Sequence, residues 1–481
     1  MRFRAVLAAA VVAFGAVAGV VVVRSGGGSG GGASRSGGAR AAAPYREISN
    51  SLPSGVVSAA VRKPAAPGDF NGDGYRDIAG GGFDGTRGDT ALVTVVYGGP
   101  AGADPARHQV VAQPDGPRNV PGWQVESADF DSDGYADLLS HRAGTTTTIV
   151  YGGPRGLTLR TAALPEATGD LAVGDFDSNG VPDVASTKDS EDAGGVYDTQ
   201  TAVVVYANPG ARPGKTIVSG LVQRGDYSVQ RTLLAGDFTG DHRTDLLVGT
   251  RNELDGEPTS WFELRPGTSA GLGPARLLPY GRAEINAADA VAGDFDGDGR
   301  TDLVARAAGG GTRKGGLQVV SLTAGGRGFG KPRRFDDAAL GMSGRAGVLR
   351  ADDVNADGRA DLIVGFYNPS DVEPGVVSIL FGSRSGLTAK GRRTLREDSK
   401  GVPGTVRPSD RFGTELSLTD TDRDGRIDLV VGAPGEEGGE GHLYIFPGTA
   451  AGPSIKGIRH FGAAALGIGG RKTELGGHLL R

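Results

Sequence analysis

Seven times along this chain, oxygen-bearing side chains fall at alternate positions of one short pattern, Asp-x-(Asp/Asn)-x-Asp-Gly-x-x-Asp. The first three copies are Asp69, Asn71, Asp73, Asp77; Asp129, Asp131, Asp133, Asp137; and Asp175, Asp177, Asn179, Asp183. Next comes the variant copy Asp237, Thr239, Asp241, Asp245. The last three are Asp294, Asp296, Asp298, Asp302; Asp353, Asn355, Asp357, Asp361; and Asp420, Asp422, Asp424, Asp428. Side chains at positions 1, 3 and 5 converge only where the backbone wraps around a point, and Gly at position 6 supplies the sharp turn. The chemistry of such a centre is that of a hard cation. Three or four carboxylates per loop suit Ca²⁺, which takes six to eight oxygens, better than Mg²⁺, which keeps its waters. Position 7 offers a backbone carbonyl and position 9 the closing Asp.

An EF-hand loop opens the same way but closes on a bidentate Glu at position 12 between two helices. Here position 12 is Gly80, Ser140, Ser186, Val248, Ala305, Val364 or Val431. An apolar run of strand character follows each loop, as in Asp245-Leu246-Leu247-Val248 and Asp361-Leu362-Ile363-Val364. The loops therefore join strands. Further strands are predicted over Leu92 to Tyr97, Thr147 to Tyr151, Ala202 to Tyr206, Trp261 to Leu264, Leu317 to Leu322, Val376 to Phe381 and Leu443 to Phe446. Gly and Pro turns such as Gly98-Gly99-Pro100 and Pro447-Gly448 follow most of them. With an apolar segment before each loop, such as Leu171-Ala172-Val173, a unit holds about four short strands. Loop starts lie 46 to 67 residues apart, the size of a propeller blade.

Composition supports this reading. Of 481 residues, 85 are Gly and 26 Pro, yet 38% are hydrophobic, which points to turns between short strands. A net charge of −5 leaves no basic footprint for nucleic acid. The absence of Cys removes disulfides, thiolate metal sites and a cysteine nucleophile. The six His are scattered along the sequence without an HExxH-type pair, which argues against a zinc enzyme.

Residues 1–24 read as a secretory signal: Arg2 and Arg4, an uncharged stretch from Ala5 to Val23, then Arg24. That stretch is also long enough for an uncleaved anchor. Residues 25–44, rich in Gly, Ser and Ala, read as a flexible linker before a propeller over 45–481.

The last repeat reads Phe412-Gly413, then the loop from Asp420 to Asp428, then Gly432-Ala433-Pro434. Together with the other loops it resembles the FG-GAP (or VCBS) repeat family, best known from the N-terminal β-propellers of integrin α-subunits. The other six repeats keep the loop and lose most of the Phe-Gly and Gly-Ala-Pro signatures, so they resemble looser bacterial repeats. The resemblance implies Ca²⁺ in strand-connecting loops that stabilise the ring, and ligand binding on a propeller face.

The expected fold is all-β: a seven-bladed propeller of four-stranded antiparallel blades, each with a calcium loop. The expected function is that of an exported, monomeric, non-enzymatic calcium-binding module that binds or adheres to an extracellular protein or glycan. The alternatives are an accessory or hydrolytic protein acting on polysaccharide or lipid, and a purely structural envelope protein. Membrane contact is expected only through the N-terminal segment.

Several motifs have plainer readings. Gly267-Thr268-Ser269-Ala270-Gly271 has the GxSxG form but falls in the same turn as Gly98 to Gly102, and Gly80, Gly82 and Gly85 fit GxGxxG with no helix behind them. Arg87-Gly88-Asp89 and Arg224-Gly225-Asp226 are triplets that this composition supplies by chance, and Trp123 and Trp261 read as strand packing. Two local expectations follow. The Asp237 loop, with Thr239 and His242 replacing a ligand and the turn Gly, should be the weakest site. The segment Glu474 to Leu480, which echoes Arg411 to Leu416 but precedes no loop, should close the ring against the first blade.

Overall fold

The computed structural model describes residues 45–481 except 53–59, 61–62, 88–89, 114–122, 143–144, 192–198, 211–213, 219–229, 255–256, 279–284, 308–315, 324, 341–344, 368–373 and 471. The chain divides into Met1–Ala41 and Ala42–Arg481, and only the second unit is described below. The segment expected to direct export, the linker and the triplet at 224–226 lie outside the described residues, as do Gly88 and Asp89.

Seven antiparallel sheets form the blades of a seven-bladed β-propeller. Blade 7 shows the plan: Leu416–Thr419, the loop, then Asp428–Ala433, His442–Phe446 and Arg459–Gly462, each strand paired with the next. Blades 2 to 6 repeat it, opening with Trp123–Ala128, Leu171–Gly174, Gln230–Gly236, Ile285–Gly293 and Arg345–Asp352. The middle strands are buried on both faces, as at Asp137–Arg142 and His442–Phe446. This is why they read as continuous apolar runs instead of alternating ones.

Successive side chains in a strand point to opposite faces, so each blade contributes to two cores. Leu246 packs with blade 3 residues such as Phe176 and Ala185, and Leu247 with blade 5 residues such as Leu303 and Ala305. Val304 then packs with Leu362, while Ile363 packs with Leu429. The hydrophobic core is thus a series of seams between blades, with further clusters joining blades 1 and 2, blades 2 and 3, and blades 7 and 1.

Closure is partly as expected. His478–Leu479 pairs with Ile78–Asp84 in the register Gly80↔Leu479 and Gly81↔His478, taking the first-strand position of blade 1. Glu474 and Leu475 instead donate backbone bonds to Gly439 and Glu440 of blade 7, so the tail bridges the last blade to the first. A Cβ at Gly80 would stand 2.7 Å from the His478 carbonyl oxygen and one at Gly82 3.0 Å from that of Thr473, so close backbone approach explains these two glycines of the GxGxxG match. Blade 1 departs from four strands: Arg46–Asn50 pairs with His108–Ala112 and covers the outer edge. The GxSxG segment is the turn after Glu257–Arg265, where the Gly271 N–H donates to the Thr268 carbonyl at 3.0 Å, as Gly102 does to Gly99 at 2.6 Å. Among the described residues no helix is long and apolar enough to cross a membrane.

Candidate functional site

Each loop wraps its own first carboxylate. The N–H at position 6 donates to the position-1 Asp in all seven copies: Gly74 to Asp69, Gly134 to Asp129, Gly180 to Asp175, His242 to Asp237, Gly299 to Asp294, Gly358 to Asp353 and Gly425 to Asp420. Such wrapping requires left-handed backbone. Position 6 shows it throughout, from Gly358 and Gly425 (φ 82°) to Gly134 (φ 96°), with His242 at φ 65° as the lone non-glycine. Position 4 is also left-handed, at Ser132, Ser178, Ala356 and Arg423 as well as at Gly72, Gly240 and Gly297. That second turn is not visible in the pattern, because non-glycine residues occupy it in most copies.

The closing Asp acts as a clamp. It is buried in every loop, with Asp77, Asp137, Asp245 and Asp361 at 0% exposure. One oxygen of Asp77, Asp137 and Asp183 accepts the position-2 N–H at 2.9 to 3.0 Å. The other reaches across the blade to the end of the third strand, accepting from Gly98, Gly152, Gly267, Gly382 and Gly448 in the corresponding loops.

Position 2, absent from the metal pattern, is a wedge. Phe70, Phe130, Phe176, Phe238, Phe295 and Val354 are each 0% exposed and enter the seam clusters. The repeated Asp-Phe pair was the signal for this role. The loop backbone also staples blades: the position-1 carbonyls of Asp69, Asp237, Asp294 and Asp420 accept the position-8 N–H groups of Ala136, Thr301, Ala360 and Arg76 in the next blade. The Asp420 to Arg76 bond closes the ring. In blade 3 position 8 is Pro182, which has no N–H to give.

Carboxylate oxygens converge within 4.8 Å in four loops: Asp129, Asp131 and Asp137; Asp175, Asp177 and Asp183; Asp294, Asp296 and Asp302; and Asp420, Asp422 and Asp424. Asp133 and Asp298 stand outside the first and third of these groups, and Asp428 outside the last. Asp73, Asp357 and Asp424 are drawn to Arg107, Arg359 and Arg426. In the Asp69 and Asp353 loops an amide stands at position 3: Asn71 donates to Asp73 at 3.0 Å, and its carbonyl oxygen accepts the Asp73 N–H. The Asp237 loop forms no such three-carboxylate group; the Thr239 N–H donates to the Asp245 Oδ2 at 2.9 Å, and the His242 side chain is 90% exposed.

The electrostatics fit a cation. Burial, reinforced by the neighbouring loop carboxylates, pushes Asp137 up to about 8, Asp361 to about 7, and Asp69, Asp183 and Asp302 to about 6. Oδ1 of Asp69, Oδ1 of Asp131 and Oδ2 of Asp361 are buried without a hydrogen-bond partner. Clustered, buried carboxyl oxygens whose charge is disfavoured without a counter-ion, some with lone pairs unused, match the donor set of a Ca²⁺ loop, which binds them deprotonated.

Comparison with known proteins agrees with this architecture. A model of the FG-GAP repeat matches residues 286–322 and 412–446, in blades 5 and 7. Phosphatidylinositol-glycan-specific phospholipase D of Rattus norvegicus is 35% identical over 112 residues, 22% of this chain and 13% of that protein. Integrin alpha-10 of Homo sapiens is 34% identical over 24% of this chain and 10% of its own length. Integrin alpha-PS2 of Drosophila melanogaster is 35% identical over 34% and 12%. The chain therefore spans only a small part of these relatives. Among solved structures, AofleA from Arthrobotrys oligospora superposes at a TM-score of 0.40 and 13% identity, over 70% of this chain and 86% of that one. This chain is a seven-bladed β-propeller carrying FG-GAP repeats, similar over part of its length to integrin α-subunits.

Proposed function

We propose that this protein is an exported, non-enzymatic binding or adhesion module whose repeat loops hold Ca²⁺ as structural ions. The observation that carries the reading is the convergence of three carboxylates in each of four loops, two of which, at Asp294 and Asp420, also carry inter-blade backbone bonds from the position-1 carbonyl. In this account Asp129, Asp131 and Asp137, with their counterparts in the other loops, supply oxygen ligands, and the ion neutralises charge that otherwise opposes the turn. The Asp69 and Asp353 loops contribute Asn71 and Asn355 oxygens in place of a carboxylate. Export fits modest affinity, because extracellular modules meet calcium at high concentration. A seven-bladed ring presents the connections of all its blades on two faces, which supports recognition of an extracellular protein or glycan. Staples that coincide with ion sites in the Asp294 and Asp420 loops favour a stabilising role for calcium over a switching one.

Calcium titration of the folded chain, followed by heat, tests the ion sites; the expected stoichiometry is at least four, and no binding would remove the reading. A glycan and protein array probed with and without calcium tests the module: calcium-dependent capture supports it, and turnover of a captured polysaccharide or lipid would favour the hydrolytic alternative.

A further inference from the structure

Two of the His residues that look scattered in sequence, His442 and His460, meet at the other end of blade 7. His442 opens the strand His442–Phe446, and His460 lies in Arg459–Gly462, which pairs with it in the register Tyr444↔His460 and His442↔Gly462. Residues two apart on a strand share a face, and diagonal neighbours across a ladder lie within reach of long side chains. His442, Tyr444 and His460 therefore stack, with ring centroids 4.6 Å apart for the two imidazoles and 4.3 Å for Tyr444 and His460. Gly462 makes room: a Cβ there would stand 2.4 Å from the His442 Nε2. Glu436, in the turn between Asp428–Ala433 and His442–Phe446, supplies a buried carboxylate to the same point.

We propose that Glu436, His442 and His460 form a binding site for a divalent transition-metal ion of the zinc type, separate from the calcium loops. One ligand atom from each lies within 4.8 Å of the others, two ring nitrogens and one carboxylate oxygen. His442 Nδ1 is 2.6 Å from His460 Nε2. Glu436 Oε2 is 3.4 Å from His442 Nδ1 and 3.6 Å from His460 Nε2. A tetrahedral ion with bonds of about 2.0–2.1 Å sets its ligands about 3.3 Å apart, so the two contacts to Glu436 already fit. The nitrogen pair must open by less than about 1 Å to admit the ion.

The supporting groups are those a metal site needs. His442 Nε2, buried and without a hydrogen-bond partner, lies 3.4 Å from the Glu437 carboxylate. A ligating imidazole characteristically gives its other N–H to such a carboxylate, which fixes its tautomer. The Tyr444 hydroxyl is 2.9 Å from Glu436 Oε2 and 3.1 Å from Glu397 Oε1, so it orients the ligating carboxylate. Two imidazoles and a carboxylate suit Zn²⁺ and its neighbours and not Ca²⁺, which takes oxygen alone. The site also stands apart from the Asp420 loop: Ala433, the ladder partner of His442, is five residues along its strand from Asp428, about 17 Å at roughly 3.4 Å per residue. With three protein ligands, the fourth position is left to water or to a ligand group.

The test is titration of the full chain with zinc chloride in excess calcium, which saturates the carboxylate loops, together with Co²⁺ titration read by visible absorption. The expected result is one tight zinc equivalent and the intense bands of four-coordinate Co²⁺, both lost in His442→Gln and His460→Gln. Glu437→Gln is expected to weaken binding by roughly 10- to 100-fold. Zinc binding that is absent, or undiminished in both His variants, overturns the proposal. Thermal unfolding in calcium without zinc separates misfolding from ligand loss. If His442→Gln does not fold, the more exposed His460 and Glu437 decide, through the same loss or persistence of the tight equivalent.

Discussion

The loops of blades 2 and 4 share one backbone plan and differ in what they can hold. In blade 2, Asp129, Asp131 and Asp137 bring three carboxylates together, and Gly134 makes the turn. In blade 4, Thr239 removes one carboxylate, His242 occupies the left-handed position, and no three-carboxylate group forms. Yet Asp245 still clamps Gly267 at 2.8 Å as Asp137 clamps Gly152 at 2.9 Å, and the Asp237 carbonyl accepts from Thr301 of the next blade at 2.8 Å, a staple that Pro182 denies to the blade 2 loop. The mechanical role of the loop is therefore separable from its ion chemistry. Peptide groups and the closing Asp staple the ring; positions 1, 3 and 5 decide how much charge waits for a cation.

Chelation should produce the largest effect. A site filled at about a hundredfold over its dissociation constant adds about 2.7 kcal/mol, so four sites together rival the stability of a whole domain. Thermal unfolding in excess calcium and in excess chelator checks this, and an unchanged midpoint would abolish the contrast between the two loops. Truncating the clamp is expected to come next: Asp137→Ala strands two buried N–H groups and Asp245→Ala one buried and one half-buried, at roughly 2–4 kcal/mol each. Denaturant unfolding in chelator should show similar losses for both, since the clamp works without the ion. A loss confined to Asp137→Ala would mean that ion and clamp cannot be separated.

The metal-free protein should also respond to pH. Its raised carboxyls, from about 6 at Asp69 to about 8 at Asp137, hold more protons folded than unfolded, where the ordinary Asp value is about 3.9. Their contribution is fully present below the unfolded value and is lost as pH rises through the folded values. In chelator the unfolding midpoint should therefore fall between pH 5 and pH 8, and calcium should flatten that slope. A midpoint that rises over the same window would contradict it.

Two substitutions sharpen the comparison from the blade 4 side. Thr239→Asp restores the missing carboxylate and should add a calcium equivalent with up to about 2–3 kcal/mol of calcium-dependent stabilisation. Calorimetric titration against the parent chain reads it. His242→Gly, the smallest change, relieves a left-handed non-glycine and should stabilise by about 0.5–1 kcal/mol equally with and without calcium. A calcium-dependent gain would show that His242 obstructs the ion and does not merely strain the turn.

Much of this architecture is legible in the chain because its signals are local and repeated. Asp and Gly at fixed offsets dictate a wrapped loop whatever surrounds them. Apolar runs such as Leu362-Ile363-Val364 announce strands buried on both faces, and the spacing of the loops sets blade size. The echo of Arg411 to Leu416 in Glu474 to Leu480 anticipates closure, since an opening strand without a loop needs a partner elsewhere. What only the tertiary structure decides depends on neighbours distant in sequence. The wedge at Phe70 and Phe176 acquires meaning from the adjacent blade, and the staple from Asp420 to Arg76 joins opposite ends of the repeat array. Arg46–Asn50 becomes a fifth strand because the outer edge of blade 1 is open to it. His442 and His460, 18 positions apart with no motif between them, meet because a strand ladder sets its register through backbone bonds. Backbone pairing carries no side-chain signature, and so the chemistry it assembles stays hidden until the chain is folded.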